Sequence, residues 1–364
     1  MTLFTLGPVQ THHSVRVAMA QDIAPWNYRF RNLLIRVQEK ILKISNGNSA
    51  HVALPFPASG HFINEAAIRS LTKINGKILI PVTNCDKSYT NRLAKLARES
   101  KRQVVPLFVK DTNSVVPEDI YTALEKDKEI KHVAIVYNET GNGTVNDIES
   151  IGEAVRLNNC RMIIDAVSAF GALPFDFEKH PECDAITFTS GKCLEGMPGL
   201  GFVVARKDAI KLNQGQAESQ SMDLADVLNY YENVGPGYFR FTPPAQVIAA
   251  LDVALVRLDQ EGGPAARLRR YRNNADIIYN GLSDIGLIPY LNRSEQGPVV
   301  VNVHWPNSSF DFYGFITELL KKDIIISGFY TTQLPTIRIG AIGAIEESEI
   351  KNALLEIEKI LYSK

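Results

Sequence analysis

The stretch Asp184-Ala185-Ile186-Thr187-Phe188-Thr189-Ser190-Gly191-Lys192-Cys193-Leu194-Glu195-Gly196-Met197-Pro198-Gly199-Leu200-Gly201-Phe202 sets one lysine between two apolar runs. Ala185 to Phe188 reads as a buried strand and Gly201 to Ala205 as another; a small polar turn and a glycine- and proline-broken loop join them. A flexible ammonium between core strands is costly unless its pKa is lowered or the amine is consumed in a bond, which is what a Schiff-base lysine requires. The alternative is a lysine in a surface loop with apolar neighbours, and the segment alone does not choose between the two. Upstream, Cys160-Arg161-Met162-Ile163-Ile164-Asp165-Ala166-Val167-Ser168 is a largely apolar run carrying an aspartate. That is the pattern of a parallel strand delivering a carboxylate at its C-terminal edge. An aspartate on one strand end and a lysine after the next are the groups pyridoxal phosphate needs, one for its pyridinium nitrogen and one for its aldehyde.

Working outward, strand-like runs at Val52 to Phe56, Lys77 to Val82, Gln103 to Phe108, Lys131 to Tyr137 and Arg161 to Ala166 precede these two. Amphipathic stretches such as Phe62 to Leu71 and Asn91 to Glu99 lie between them. Alternation of this kind, with strands apolar on both faces, predicts an α/β fold with a mostly parallel seven-stranded sheet covered by helices. Thr242-Pro243-Pro244 opens a helix through Leu255, and Arg267 to Leu282 reads as a long charged helix after the turn Glu261-Gly262-Gly263-Pro264. Val299 to His304, a helix near Phe310 to Leu320, Ile324 to Ile326, Thr336 to Ile339 and a final helix carrying Ile350, Leu354, Ile357 and Leu361 then suggest a smaller α+β domain. The expected division is a large domain over 14–260 and a small one over 261–364, joined by an N-terminal arm, 1–13.

With 364 residues, 22% charged and 45% hydrophobic, the chain is long enough for a large core and has the composition of an ordinary globular protein. A net charge of -1 without a basic block gives no reason to expect nucleic acid or an anionic membrane. The N-terminus has no basic segment leading into an apolar core, so a cytoplasmic address is expected. Four scattered cysteines, with no Cys-x-x-Cys and no clustered histidines, read as reduced core thiols, and no metal is expected. His12-His13 reads as part of a solvated arm.

Other short motifs admit two readings. Ala58-Ser59-Gly60-His61 precedes a helix, where free N–H groups and the helix dipole make a phosphate cup, or where Ser59 simply caps. Asn138-Glu139-Thr140-Gly141-Asn142-Gly143 lacks the third glycine of a dinucleotide fingerprint, leaving a strand-end loop with a hydroxyl at Thr140. Gly191-Lys192-Cys193 lacks the hydroxyl and upstream glycine of a Walker loop. Tyr89 could stack on a flat cofactor or simply pack. In Thr336-Ile337-Arg338-Ile339-Gly340 alternation sets the guanidinium opposite two isoleucines, where it suits a carboxylate or phosphonate, or a surface ion pair.

Taken in order, Gly7-Pro8, Ser59-Gly60, Glu139-Thr140, Asp165 to Gly171, Lys192 to Gly199, Arg240-Phe241-Thr242, Glu261 to Arg267 and Arg338-Ile339-Gly340 resemble the class V aminotransferases along nearly the whole chain. The resemblance implies the fold-type I architecture of pyridoxal-phosphate transferases and a homodimer with active sites between subunits. It implies Lys192 as the Schiff-base lysine and proton shuttle, and Asp165 as partner of the ring nitrogen. Tyr89 and Val167 would face the ring, Thr140 would lie near its oxygen, and Ser59, Gly60 and His61 would cradle the phosphate, with Thr242 reaching in from the partner; Ser190 would also bind the cofactor. Arg338 would hold the acidic group of the amino donor and of the keto acid. The implied reaction moves an amino group from 2-aminoethylphosphonate or a close analogue to pyruvate, giving phosphonoacetaldehyde and alanine. Alanine:glyoxylate or serine:pyruvate transfer is the rival. A non-catalytic protein of the same fold and a desulfurase or other lyase are further rivals; no cysteine after Cys193 is available for the desulfurase. Against the family pattern, no proline precedes Gly7, His61 replaces a small residue, Gly191 stands where an amide or imidazole is usual, and Gly141 and Asn142 replace hydroxyl residues.

Overall fold

A computed structural model describes residues 1–362. The first half runs β1 (Thr2–Phe4), α1 (His13–Ala18), α2 (Tyr28–Ile44), β2 (His51–Phe56), α3 (Gly60–Leu71), β3 (Lys77–Val82), α4 (Tyr89–Glu99), β4 (Gln103–Phe108), α5 (Pro117–Lys126), β5 (Ile130–Val136) and α6 (Ile148–Leu157). It continues with β6 (Arg161–Asp165), β7 (Cys183–Thr189), β8 (Gly201–Arg206), α7 (Lys207–Leu212), α8 (Leu224–Val234), α9 (Ala245–Glu261) and α10 (Gly263–Asp284). The chain ends with β9 (Val300–His304), α11 (Phe312–Lys321), β10 (Ile324–Ile326), β11 (Thr336–Gly340) and α12 (Glu347–Tyr362).

Seven strands form the central sheet in the order β2-β8-β7-β6-β5-β3-β4, and only β8 runs against its neighbours. Its direction follows from the lysine loop. The segment 190–200 contains no helix, and so short a link cannot carry the crossover a parallel neighbour needs. Strands such as β7, buried along its whole length, are apolar on both sides because helices cover both faces. One face packs Leu34 and Ile41 of α2 and Leu251 and Leu255 of α9; the other packs Ile63 and Leu71 of α3 and Leu93 of α4.

A third core holds Leu282, Val301, Leu319, Ile337 and Ile357 with Phe4 from the N-terminal arm. The arm reaches it because β1 pairs in parallel with β10. β11 lies antiparallel to β9, with Arg338 opposite Asn302. Between α9 and α10 the chain turns through two glycines of positive φ, Gly262 at 106° and Gly263 at 78°. The helix expected to begin at Arg267 therefore begins at Gly263. Pro264 sits in its first turn, where a missing N–H costs nothing, and Arg267, at the expected start of a long charged helix, is fully buried. The four cysteines are buried and free. Among the described residues no helix is long and apolar enough to cross a membrane.

Candidate active site

The C-terminal ends of β5, β6 and β7 and the N-termini of α3 and α4 converge at one edge of the sheet, where an open α/β fold collects its ligands. Asp165 ends β6 and is buried. Its Oδ1 accepts the Val167 N–H at 2.9 Å and its Oδ2 accepts the Asn64 amide at 2.6 Å. Asn64 in turn accepts a hydrogen bond from the Thr187 hydroxyl. Burial raises the Asp165 pKa; those two donors and the charges of Lys192 and His61 oppose the rise. Asn64 lies one turn into α3, and only the packing of that helix on the sheet brings it to Asp165.

Lys192 is partly buried, and its Nζ donates to the Leu6 carbonyl at 2.8 Å. Burial lowers its pKa to about 8; Cys193, Asp165 and Glu139 pull it up and Arg338 pushes it further down. The amine thus feels the charge of both the aspartate and the arginine. The N-terminal arm lies directly over the lysine. A Cβ on Gly7, whose φ is +143°, would come within 2.9 Å of Lys192 Cε, so only glycine fits.

Ser59 stands at the N-cap of α3, yet its side chain makes no capping hydrogen bond and is exposed. The hydroxyl and the first N–H groups of the helix therefore remain available to an anion. Gly60 is pressed onto Val167, since a Cβ there would lie 2.7 Å from Val167 Cγ2. His61 is exposed on the same first turn. Thr140, after β5, is buried and hydrogen-bonded to Ser168, after β6. Ser190, expected to bind the cofactor, is buried, and its hydroxyl donates to the carbonyls of Met197 and, at 3.1 Å, Leu200, closing the lysine loop. Thr242 is exposed, beside exposed Phe241, and has no contact with the Lys192 cluster within one chain.

Tyr89 is the first residue of α4. Glu139, buried, accepts the N–H groups of Tyr89 at 3.0 Å and Thr90 at 3.1 Å through Oε2, and that of Gly141 at 2.8 Å through Oε1. Burial pushes its pKa up to about 7, against those three donors. Nothing in the sequence singled out Glu139 beyond its place beside Thr140. Arg338 is buried on β11 and donates to Thr331 Oγ1 at 2.8 Å; its Nε has no partner. Among the described residues no carboxylate lies within ion-pair distance of it, so the surface ion pair is excluded.

Residues 28–328 match the family model "Aminotransferase class-V". The chain is a class V aminotransferase. Over 360 residues this aminotransferase is 37% identical to the 2-aminoethylphosphonate--pyruvate transaminase 2 of Burkholderia lata, spanning 99% of this chain and 94% of that one. It is 36% identical to the 2-aminoethylphosphonate--pyruvate transaminase of Pseudomonas aeruginosa, spanning 99% and 95%. The crystal structure of ureidoglycine-glyoxylate aminotransferase from Bacillus subtilis matches with a TM-score of 0.89 at 23% identity, over 99% of this chain and 92% of that one, and shares its fold. The cofactor of the class V aminotransferase is pyridoxal phosphate. The donor set fits it: a buried carboxylate for a ring nitrogen, an amine of lowered pKa for an aldehyde, and an unspent helix N-terminus with a free serine hydroxyl for a phosphate.

Proposed function

We propose that this aminotransferase moves the amino group of 2-aminoethylphosphonate to pyruvate, releasing phosphonoacetaldehyde and alanine. One observation carries the choice of donor: relatives bearing that name align with 99% of the chain at 36–37% identity. Arg338 supports it, as a buried guanidinium without a carboxylate beside Lys192.

When bound, pyridoxal phosphate supplies an electron sink for the charge left on the amine-bearing carbon. Lys192 Nζ would hold the cofactor and, once freed by donor, would move the proton to and from that carbon, a task suited to an amine near neutral pKa. Asp165 would keep a proton on the ring nitrogen, and Asn64 fixes the carboxylate plane for it. Tyr89, Val167 and Thr140 would hold the ring, and Ser59, Gly60 and His61 would hold the phosphate. Ser190 holds the lysine loop in shape. In this reading the protein is a cytoplasmic homodimer, with Thr242 of each chain exposed to serve the other's site.

The purified, coloured holoenzyme tests the donor directly. Mixed with 2-aminoethylphosphonate and no keto acid, it should lose its visible absorption band, and do so faster than with alanine or serine. If 2-aminoethylphosphonate leaves the band unchanged while alanine or serine removes it, the donor assignment fails and the family stands.

A further inference from the structure

Three cations gather at the mouth of the site, and each lies on an aromatic ring. Arg338 is 4.8 Å from the Phe329 ring centroid, Lys87 Nζ 4.2 Å from that of Tyr330, and Arg92 4.7 Å from that of Tyr89. Phe329 and Tyr330 immediately precede Thr331, whose hydroxyl accepts from Arg338. The loop carrying Lys87 is tied to the same segment, because Cys85 Sγ donates to the Thr331 carbonyl at 3.2 Å. Arg92 sits one turn beyond Tyr89 on α4 and is close enough for its charge to act on Arg338. Lys87 and Arg92 are exposed. Among the described residues, none of the three has a carboxylate within ion-pair distance, unlike Arg267 and Arg270, which pair with Glu195 and Glu261. The nearest buried acid, Glu139, is already bound by three N–H groups.

Unpaired cations held in place by flat rings are arranged to meet an anion that arrives from outside. Arg338 alone matches one carboxylate. A phosphonate, like a phosphate monoester, can carry two charges and offers three acceptor oxygens, so it can use more than one cation. We propose that Lys87 and Arg92 act with Arg338 as a specificity device that favours donors ending in a doubly charged phosphonate over those ending in a carboxylate. The inference deepens the functional reading above and rests on it for the location of the donor's acidic end. Arg338 grips that group, while Lys87 and Arg92 supply the field that distinguishes two charges from one. Arg92 also rests on Tyr89, so its charge must be separated from its stacking.

Calorimetric titration of the holoenzyme with ethylphosphonate and with propionate, in a buffer alkaline enough to ionise the phosphonate twice, separates these effects without turnover. The wild type should bind ethylphosphonate roughly tenfold or more tightly than propionate at low salt, and the preference should shrink as salt rises. Lys87→Gln combined with Arg92→Gln should remove most of that ratio, with propionate affinity falling much less. Arg92→Lys, which keeps the charge and loses the flat stack, should retain most of it. An unchanged ratio in the double variant, an equal fall for both probes, or a loss in Arg92→Lys as large as in the double variant would overturn the proposal. Should the ratio behave as stated while 2-aminoethylphosphonate fails to bleach the same preparation, the donor assignment falls and the anion selectivity stands.

Discussion

At Lys192 the fold works against a charge in order to free an amine. Burial brings the pKa from 10.5 to about 8, and Arg338 adds to the effect. A lysine titrating near 8 has about a tenth of its amine neutral at pH 7, roughly 300 times more than one titrating at 10.5. The sign is therefore fixed: deprotonation, and with it attack on the cofactor aldehyde, grows as pH rises and is nearly complete about one unit above 8. Apoprotein mixed with pyridoxal phosphate should regain its colour at a rate that climbs through pH 8 and flattens near 9. A rate still climbing in proportion to hydroxide through pH 10 would mean an ordinary lysine. The lysine and Asp165 were legible in the sequence because each is a charged residue interrupting an apolar strand pattern. Asn64 was not, since a polar residue on an amphipathic helix looks the same whether it meets water or a buried carboxylate.

Among the elements, α4 shows where sequence reading stops. Its strand-side neighbours were visible from apolar runs: β3 falls within its expected range because both of its faces are covered, and β4, an exposed edge strand, still shows its range through the run Val104 to Phe108. The helix start was not visible: Ser88 caps Asn91 N–H at 3.2 Å, and the free N–H groups of Tyr89 and Thr90 are taken by Glu139, fifty residues away in the chain. That carboxylate positions Tyr89. Its folded pKa of about 7 lies above the ordinary 4.5, so the folded state binds this proton more tightly than the unfolded chain. The contribution to stability is complete below 4.5 and is lost as pH rises through about 7. Glu139→Gln keeps one acceptor oxygen and removes the ionisation. Between pH 5 and 8, denaturant melts of the wild type should therefore lose about 3 kcal/mol more than those of Glu139→Gln. Identical pH dependence in the two proteins would remove Glu139 from this role. The variant should also raise the KM for the donor, because Tyr89 loses its tether.

In the whole molecule, Lys192 and its loop are held from two sides. The N-terminal arm, anchored by β1 on β10, lays Leu6 and Gly7 over the amine. Behind it, α10 clamps the lysine loop: Arg267 donates to the Cys193 carbonyl at 2.7 Å and pairs with Glu261 at 2.7 Å. Arg270 pairs with Glu195 and Glu261, and the Tyr271 hydroxyl donates to Glu195 at 2.7 Å. Glu195 itself adopts a left-handed backbone, φ 57°, which this set of partners sustains. The turn Glu261-Gly262-Gly263-Pro264 was visible in the sequence, but its purpose was not, because burial of Arg267 depends on where the helix starts. A buried ion pair that loses one partner leaves the other charge stranded, at a cost of about 3–5 kcal/mol. Arg267→Met should therefore lower stability by that order in denaturant melts and strip one hydrogen bond from the residue next to Lys192. Because that bond holds the loop and not the reacting atoms, the variant's refolded fraction should keep its donor preference while cofactor dissociates faster during dialysis. Tyr271→Phe, which removes a single hydroxyl from the same network, should cost only about 1 kcal/mol. Equal losses in the two variants would show that the stranded carboxylates are solvated, and that the clamp rests on packing of Tyr271 instead of on charge.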